Sequence, residues 1–586
     1  MRQWMVAAKK ADFYAIAEKF HVDPVVARII RNREVIGEKN IRIYLGGNLS
    51  DLSDPHQMKD MDQLVEILAQ KIRKQVHIRI IGDYDVDGVT SSHLFLTALR
   101  RVGAKVDVVI PHRIQDGYGL SLHLLQQAKE DGVDTILTCD NGIAAIDEIA
   151  WAKAQKMTVL VTDHHAVPFE EHEGRRTEKK SLADAVVNPH QQDCGYPYKE
   201  LCGAGVAWNV IRVLYENYDM DKREAEDLLD FVAMATVCDV MSLTGENRIL
   251  VKEGLKRIRH TKNIGLQALM QACNVQPENI SAYHFGYVLG PCVNATGRLD
   301  TARHALRLFE TGQETEAEEI ARDLVDLNQE RKELTLQGVE MAKKLCEEGG
   351  YENDPVLVLF LPDVHESIAG LIAGRIREMY NRPVFVLTRG EEGVKGSGRS
   401  TENYSMYENM CGCAELFTKF GGHPMAAGLS LPEENVEKFR RKINENCPLT
   451  VEEVCPDIHI DMAMPVGYAS TELVHQFALL EPFGKDNPSP LFADRNLSIS
   501  RMWVIGKNRN VLRMSVLSEY GQPVPVIFFG DVETLFAYFT EKFGQEEVEN
   551  ALHGRKNRIL FSMVYTAKID FYQGNENLQL EMKYYR

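Results

Sequence analysis

Carboxylates and imidazoles stand at four places in this chain where runs rich in apolar residues stop. The run 76–81 ends in Gly82-Asp83-Tyr84-Asp85-Val86-Asp87-Gly88, three aspartates at alternate positions. Thr135–Cys139 ends in Asp140-Asn141-Gly142, Thr158–Thr162 in Asp163-His164-His165, and 225–237 in Cys238-Asp239. Carboxylates held on one rim repel unless something positive sits between them. A divalent ion with oxygen and imidazole ligands supplies that charge, and this donor mix suits Mn²⁺ or Mg²⁺ better than Zn²⁺. So many carboxylates suggest two ions. Taken alone, the first motif reads equally well as a solvated acidic loop. Cys139 and Cys238 each precede an aspartate, which leaves a thiolate ligand open, although none is needed and neighbouring side chains usually point elsewhere.

The elements that must position these groups follow a βα rhythm. Helix 61–74 leads to strand 76–81, and strands 105–111, 134–138 and 158–162 alternate with helices near 92–101, 121–130 and 146–155. That pattern predicts a doubly wound, mostly parallel sheet, with its site at the C-terminal strand edge. Residues 225–237 read as a helix ending at Asp239, where the dipole disfavours a carboxylate unless a cation offsets it. Leu201-Cys202-Gly203-Ala204-Gly205 lacks phosphate-loop spacing, so close helix packing explains its glycines. Asn294–Leu299 reads as a turn carrying Arg298. Thr315-Glu316-Ala317-Glu318 has the form of a capping box before a strut helix over about 316–346.

A second α/β unit starts near Pro355. It carries Gly396-Ser397-Gly398-Arg399-Ser400 and Phe420-Gly421-Gly422-His423, read as two tight turns whose small residues let a phosphate approach a cation. From about 451 short strands take over. Arg495, Arg501, Lys507, Arg509 and Arg513 are interleaved there with Trp503, Phe528 and Phe529, a pattern of basic groove and stacking platforms that a β domain with aromatic core residues would share.

With 586 residues a single core is excluded. The expected parts are an N-terminal helical extension (1–50), a catalytic α/β domain (51–265), a helical connector with the long helix (266–346), a second α/β domain (347–450) and a β domain (451–586). No apolar run has membrane-spanning length. Lysines interrupt the first twenty residues where a signal peptide needs its apolar core. The 11 scattered cysteines fit reduced thiols, so the expectation is a cytoplasmic protein with no membrane partner. A net charge of −18 argues against a polyanionic partner only at long range, since a local basic groove or metal cluster still holds phosphate.

In order and spacing, the four motifs resemble those of the DHH phosphoesterase superfamily, and within it the branch of single-strand-specific 5′→3′ DNA exonucleases. The resemblance implies a DHH domain and a DHH-associated domain joined by a long helix, followed by an OB-like barrel. It implies metal ligation by Asp85, Asp87, Asp140, His164 and Asp239, and places His165 near the scissile phosphate. Asp83 stands close to where other members carry a first histidine ligand. By the same resemblance Arg113 contacts the DNA 5′ end, Arg298 lies at the DNA channel, and Ser397, Arg399 and His423 hold substrate phosphates. Val364 departs from the tryptophan many members carry before His365. The implied activity is metal-dependent release of 5′-mononucleotides from single-stranded DNA by a monomer, in repair and recombination, with single-strand-binding protein as an open partner. Rivals are a DHH hydrolase of nanoRNA, cyclic dinucleotides or pyrophosphate, a non-catalytic replication scaffold on the same fold, and a cofactor-binding α/β protein. The last lacks any Gly-x-Gly-x-x-Gly after a strand.

Overall fold

A computed structural model describes residues 3–113, 116–117, 119–172, 175–390, 393–506, 509–572 and 574–586. Lys507, counted above among the basic residues, lies outside the described set, as do Ile114, Gln115 and Tyr118 of the loop after Arg113. The chain divides into two compact units, Asn48–Pro456 and Gln3–Gly47 with Asp457–Arg586.

The first unit opens with a parallel sheet of β1 (His77–Ile81), β2 (Lys105–Val109), β3 (Thr135–Cys139), β4 (Thr158–Thr162) and β5 (Ala185–Val187). Its order is β2-β1-β3-β4-β5. Strand order reverses between β1 and β3, so the crevice beyond their C-terminal ends is where such sheets bind ligands. β3 is buried along its whole length, as a central parallel strand covered on both faces must be. Three helices serve the same edge: α1 (Val86–Arg101), α2 (Gly203–Asn217) and α3 (Leu229–Cys238). The sequence pattern started α1 near residue 92. Instead it begins inside the aspartate motif, with Asp85 as N-cap accepting from Gly88 N at 3.1 Å.

α4 (Gly290–Leu299) and α5 (Glu314–Glu348) follow. The expected turn at 294–299 is the C-terminal half of α4; Gly297 is needed there because a Cβ would strike the Tyr84 carbonyl. The expected capping box is also absent, since α5 starts at Glu314 with Gln313 as a cap that makes no side-chain bond. At 35 residues α5 spans roughly 52 Å. Beyond it lies the sheet of the second α/β domain, with β6 (Leu357–Phe360), β7 (Val384–Arg389), β8 (Val394–Arg399), β9 (Lys419–His423) and β10 (Ala426–Leu431) in the order β9-β10-β8-β7-β6. The two glycine motifs expected as turns lie instead on the strands β8 and β9. Gly396 and Gly398 face Leu387 and Phe385 on β7, where a Cβ would clash.

The second unit is a barrel of β11 (Met462–Ala463), β12 (Phe492–Ile505), β13 (Val511–Leu517), β14 (Pro523–Phe529), β15 (Leu560–Tyr572) and β16 (Asn575–Tyr585), closed by pairing of β12 with β15. The N-terminal segment belongs to this unit. Trp4–Val6 pairs with Ile458–Ile460, and Val25, Val26, Ile29 and Ile30 of helix Pro24–Asn32 are buried in the barrel's own core. Arg33 fixes the join with two bonds to Asp461, at 2.8 and 3.2 Å. Phe528 is core, against Tyr585, whereas Trp503, Phe529 and Phe571 are exposed.

Candidate metal centre and phosphate pocket

Three strand ends and one helix end converge on a single rim. His164 Nε2 lies 3.0 Å from Asp140 Oδ1, and 3.6 Å from both Asp87 Oδ2 and Asp239 Oδ2. Ligand atoms of Asp87, His164 and Asp239 lie within 4.8 Å of one another, as do those of Asp83, Asp85 and Asp140, and those of Asp140, His164 and His165. Asp140 and His164 each fall in two groupings, and of the two only the Asp140 carboxylate has the oxygens to bridge a pair of neighbouring ions. Asp83, whose role the motif left open, is part of the rim: it is 1% exposed and its Oδ1 has no hydrogen-bond partner among the described residues.

The local chain explains the convergence. Asp140 sits at φ 61°, a left-handed turn after β3, and Asn141 ties that turn to β1 by donating to Ile81 O at 3.0 Å. Asp87 lies in the first turn of α1 and is gripped by the N-terminus of α2: Gly203 N and Ala204 N donate to its two oxygens at 2.6 and 2.7 Å. Helix N-termini favour carboxylates. Gly203 therefore does more than let helices pack, a role its glycine-rich setting did not reveal. Asp163 turns inward from its motif partners. It accepts from Ile143 N at 2.9 Å, from the backbone of His164 and His165, and from His165 Nδ1 at 2.8 Å, so it fixes the turn that carries both histidines and orients the His165 imidazole.

The electrostatics ask for a cation. Burial, then the neighbouring Asp85, holds Asp83 well above the usual carboxylate range; burial, Asp87 and Asp85 do the same to Asp140. Burial pushes the His164 imidazole down, while burial of His165 is outweighed by its bond to Asp163, which lifts it to about 9. Buried carboxylates, a buried His164 and the partnerless Asp83 oxygen form an oxygen-rich donor set that fits Mn²⁺ or Mg²⁺.

Tyr84, between Asp83 and Asp85, links this rim to a second site. Its ring lies 4.8 Å from the Arg113 guanidinium, and both line a cavity of about 500 Å³ with Ser367, Lys395, Ser397 and Lys419. Arg298 donates to Ser367 O at 2.6 Å. Burial, then Arg113, Arg331 and Arg399, push Arg298 down to about 9, and burial, Arg377 and Arg113 lower Arg399. Buried cations crowding one another define an anion site. Strand register organises its floor: Arg399 and His423 both pair with Ala426, Ser397 with Gly428, and Lys395 and Lys419 both with Ser430. Alternate residues share a face, so Lys395, Ser397, Arg399, Lys419 and His423 lie on one side of the sheet. Lys395 and Lys419 were missed in the sequence, although their two-residue offsets from Ser397 and Gly421 were the available signal. Arg113 lines the cavity itself, whereas Arg298 and Arg399 stand behind its lining, Arg298 through its bond to Ser367 O, and His423 is exposed at the hairpin end, also outside the lining.

The paired α/β domains, the acidic–imidazole rim and the arginine pocket define a DHH-type phosphoesterase. Residues 77–236 match the DHH family N-terminal domain, 353–447 the DHHA1 domain, and 460–584 the RecJ OB domain. The chain is 32% identical over 96% of its length, and 96% of the relative's, to the single-stranded-DNA-specific exonuclease RecJ of Haemophilus influenzae. It is 33% identical over 87% of its length to the Bacillus subtilis RecJ, of which it spans 63%. The crystal structure of Thermus thermophilus RecJ in complex with Mn²⁺ superposes with a TM-score of 0.81 at 25% identity, covering all of this chain and 79% of the other. The chain belongs to the RecJ family.

Proposed function

We propose that this protein degrades single-stranded DNA from its 5′ end to 5′-mononucleotides, using Mn²⁺ or Mg²⁺. The observation that carries this is the position of Tyr84: the residue between two rim aspartates also lines the arginine pocket. A terminal phosphate seated against Arg113, Arg298 and Arg399 then presents the next phosphodiester to the rim, which selects a strand end rather than an internal bond. Two ions held by Asp83, Asp85, Asp87, Asp140, His164 and Asp239 would activate water and stabilise the leaving oxygen. Asp163 accepts from His165 Nδ1 and aims that imidazole at the rim, where it would contact the phosphoryl group. Arg298 and Arg399 bind the terminal phosphate, and Tyr84 positions Arg113.

A hydrolase of nanoRNA or cyclic dinucleotides would share the rim. The barrel favours a long strand, with exposed Trp503, Phe529 and Phe571 and with Arg501 5.6 Å from the Trp503 ring. Every residue invoked comes from one chain, so the proposal requires no oligomer. The test offers 5′- and 3′-labelled single and double strands with Mn²⁺ or Mg²⁺ to the wild type, Asp87→Ala and His164→Ala. Mononucleotides should leave the 5′ end of single strands, and both variants should fall by more than about 100-fold while keeping their circular dichroism. Substantial activity in either folded variant would sink the assignment.

A further inference from the structure

α4 and the winding before it act as a measure along the site. Arg298, near the C-terminal end, reaches Ser367 in the arginine pocket; Asn294, a turn earlier, accepts from Val86 N at the aspartate motif, at 3.2 Å. Gly290, a further turn back, lies against Cys238, the neighbour of Asp239. The helix thus passes the terminal-phosphate pocket, the aspartate motif and Asp239 in that order. Beyond Gly290, in the same direction, the chain winds as a π-turn over Phe285–Leu289. That turn packs on the end of α3, with Cys238 Sγ donating to Phe285 O at 3.3 Å. It buries Phe285 and Leu289 and leaves Tyr287 71% exposed, and Tyr283, in the short helix Ala282–His284 just before it, is 62% exposed.

The two exposed rings stack, with centroids 5.1 Å apart and planes 24° from parallel. Tyr283 is held by the turn around it, where His284 Nδ1 accepts from Ser281 N at 3.2 Å. At 1.5 Å per residue the two tyrosines lie roughly 5 and 10 Å past Gly290, on the side away from the arginine pocket. A strand with its 5′ end in that pocket that runs along α4 past the rim would meet them next. Single π-turns recur at functional sites because they re-aim side chains that a regular helix would place elsewhere.

We propose that Tyr283 and Tyr287 form a stacking platform for the bases of single-stranded DNA on the 3′ side of the scissile phosphate. This rests on the 5′-exonuclease function proposed above. Every base offers a π-face, so the platform tolerates any sequence, and it grips bases only when they are unpaired. It adds a base-directed contact to the phosphate-directed ones of the arginine pocket, and it favours strands long enough to reach it.

The experiment compares kcat/KM for a long 5′-phosphorylated single strand and for a dinucleotide, in the wild type, the Tyr283→Ala/Tyr287→Ala double variant and the Tyr283→Phe/Tyr287→Phe double variant. The long-to-short ratio should fall roughly 5- to 100-fold in the alanine variant, through KM, and return with phenylalanine. Strands bearing 5-iodouracil just 3′ of the second nucleotide should photocrosslink to the tyrosines of the wild type. An unchanged ratio, or phenylalanine no better than alanine, overturns the platform while strand hydrolysis by the wild type leaves the enzyme assignment standing. A wild type that degrades no single strand overturns both.

Discussion

Gly203→Ala tests how tightly the rim is built. A Cβ at this position would lie 2.6 Å from the Cβ of Asp140 and 3.0 Å from its Cα. Carbon atoms rest at about 3.5–4.0 Å, so one side must give by about 1 Å. Asp140 already occupies a left-handed backbone conformation, which leaves little room to relax. If Asp140 moves, a carboxylate proposed above as a ligand is displaced by several times the ~0.2 Å tolerance of a metal site. If α2 moves instead, the bonds from Gly203 N and Ala204 N to Asp87 lengthen and a different ligand loosens. Both routes end at the metal. Mn²⁺ affinity should therefore fall about 10- to 100-fold, equivalent to about 1.4–2.7 kcal/mol. Overpacking should also lower stability by about 1–3 kcal/mol. Calorimetric Mn²⁺ titration of the folded variant, beside hydrolysis of a 5′-labelled single strand, measures the effect. Affinity within about twofold of wild type would refute this account of the rim.

Other perturbations separate binding, stability and architecture. Arg298→Met removes a guanidinium crowded by three others, so KM for 5′-phosphorylated strands should rise roughly 10- to 100-fold while Tm holds or rises; a lower Tm with unchanged KM would contradict the anion pocket. His93 packs 4.5 Å from Phe231 and 5.8 Å from Phe309, and burial pushes its imidazole down to about 3. The unfolded chain then takes up a proton near pH 6.5 that the folded one refuses. Stability is therefore complete above pH 6.5 and lost at up to about 1.4 kcal/mol per unit as pH falls from 6.5 toward 3. His93→Leu should flatten that part of a urea–pH series, and an unchanged acid slope would contradict the burial argument. Deleting 457–586 alone should expose Val26, Ile29 and Ile30 and cause aggregation, whereas a fragment of residues 48–456 should stay soluble; light scattering distinguishes the two.

The convergence on one rim was legible because polar groups at strand ends obey local rules. An apolar strand followed by a polar motif carries that motif to the C-terminal edge: β1 and β3 bring Asp83 and Asp140 to the rim, and β4 brings His164 there while Asp163 turns inward. The same locality explains the misreadings. A motif such as Gly396-Ser397-Gly398-Arg399 is glycine-rich whether it turns or lies flat, and only the bulk of Leu387 and Phe385 on the neighbouring strand decides for a strand. The segment Pro24–Asn32 is plainly an amphipathic helix, yet the surface it covers lies more than 400 residues away along the chain.

For the opening aspartates, the spacing by itself left a metal rim and a solvated acidic loop equally open, and the further motifs at Asp140, His164 and Asp239 turned the sequence reading toward the rim. The division of labour among them came from tertiary contacts. Asp87 is held by two backbone N–H groups of α2, Asp85 caps α1, and Asp83 is buried with an oxygen that meets no donor among the described residues. Those partners come from elements up to about 120 residues distant, and hydrogen bonds of that range leave no periodicity in the sequence.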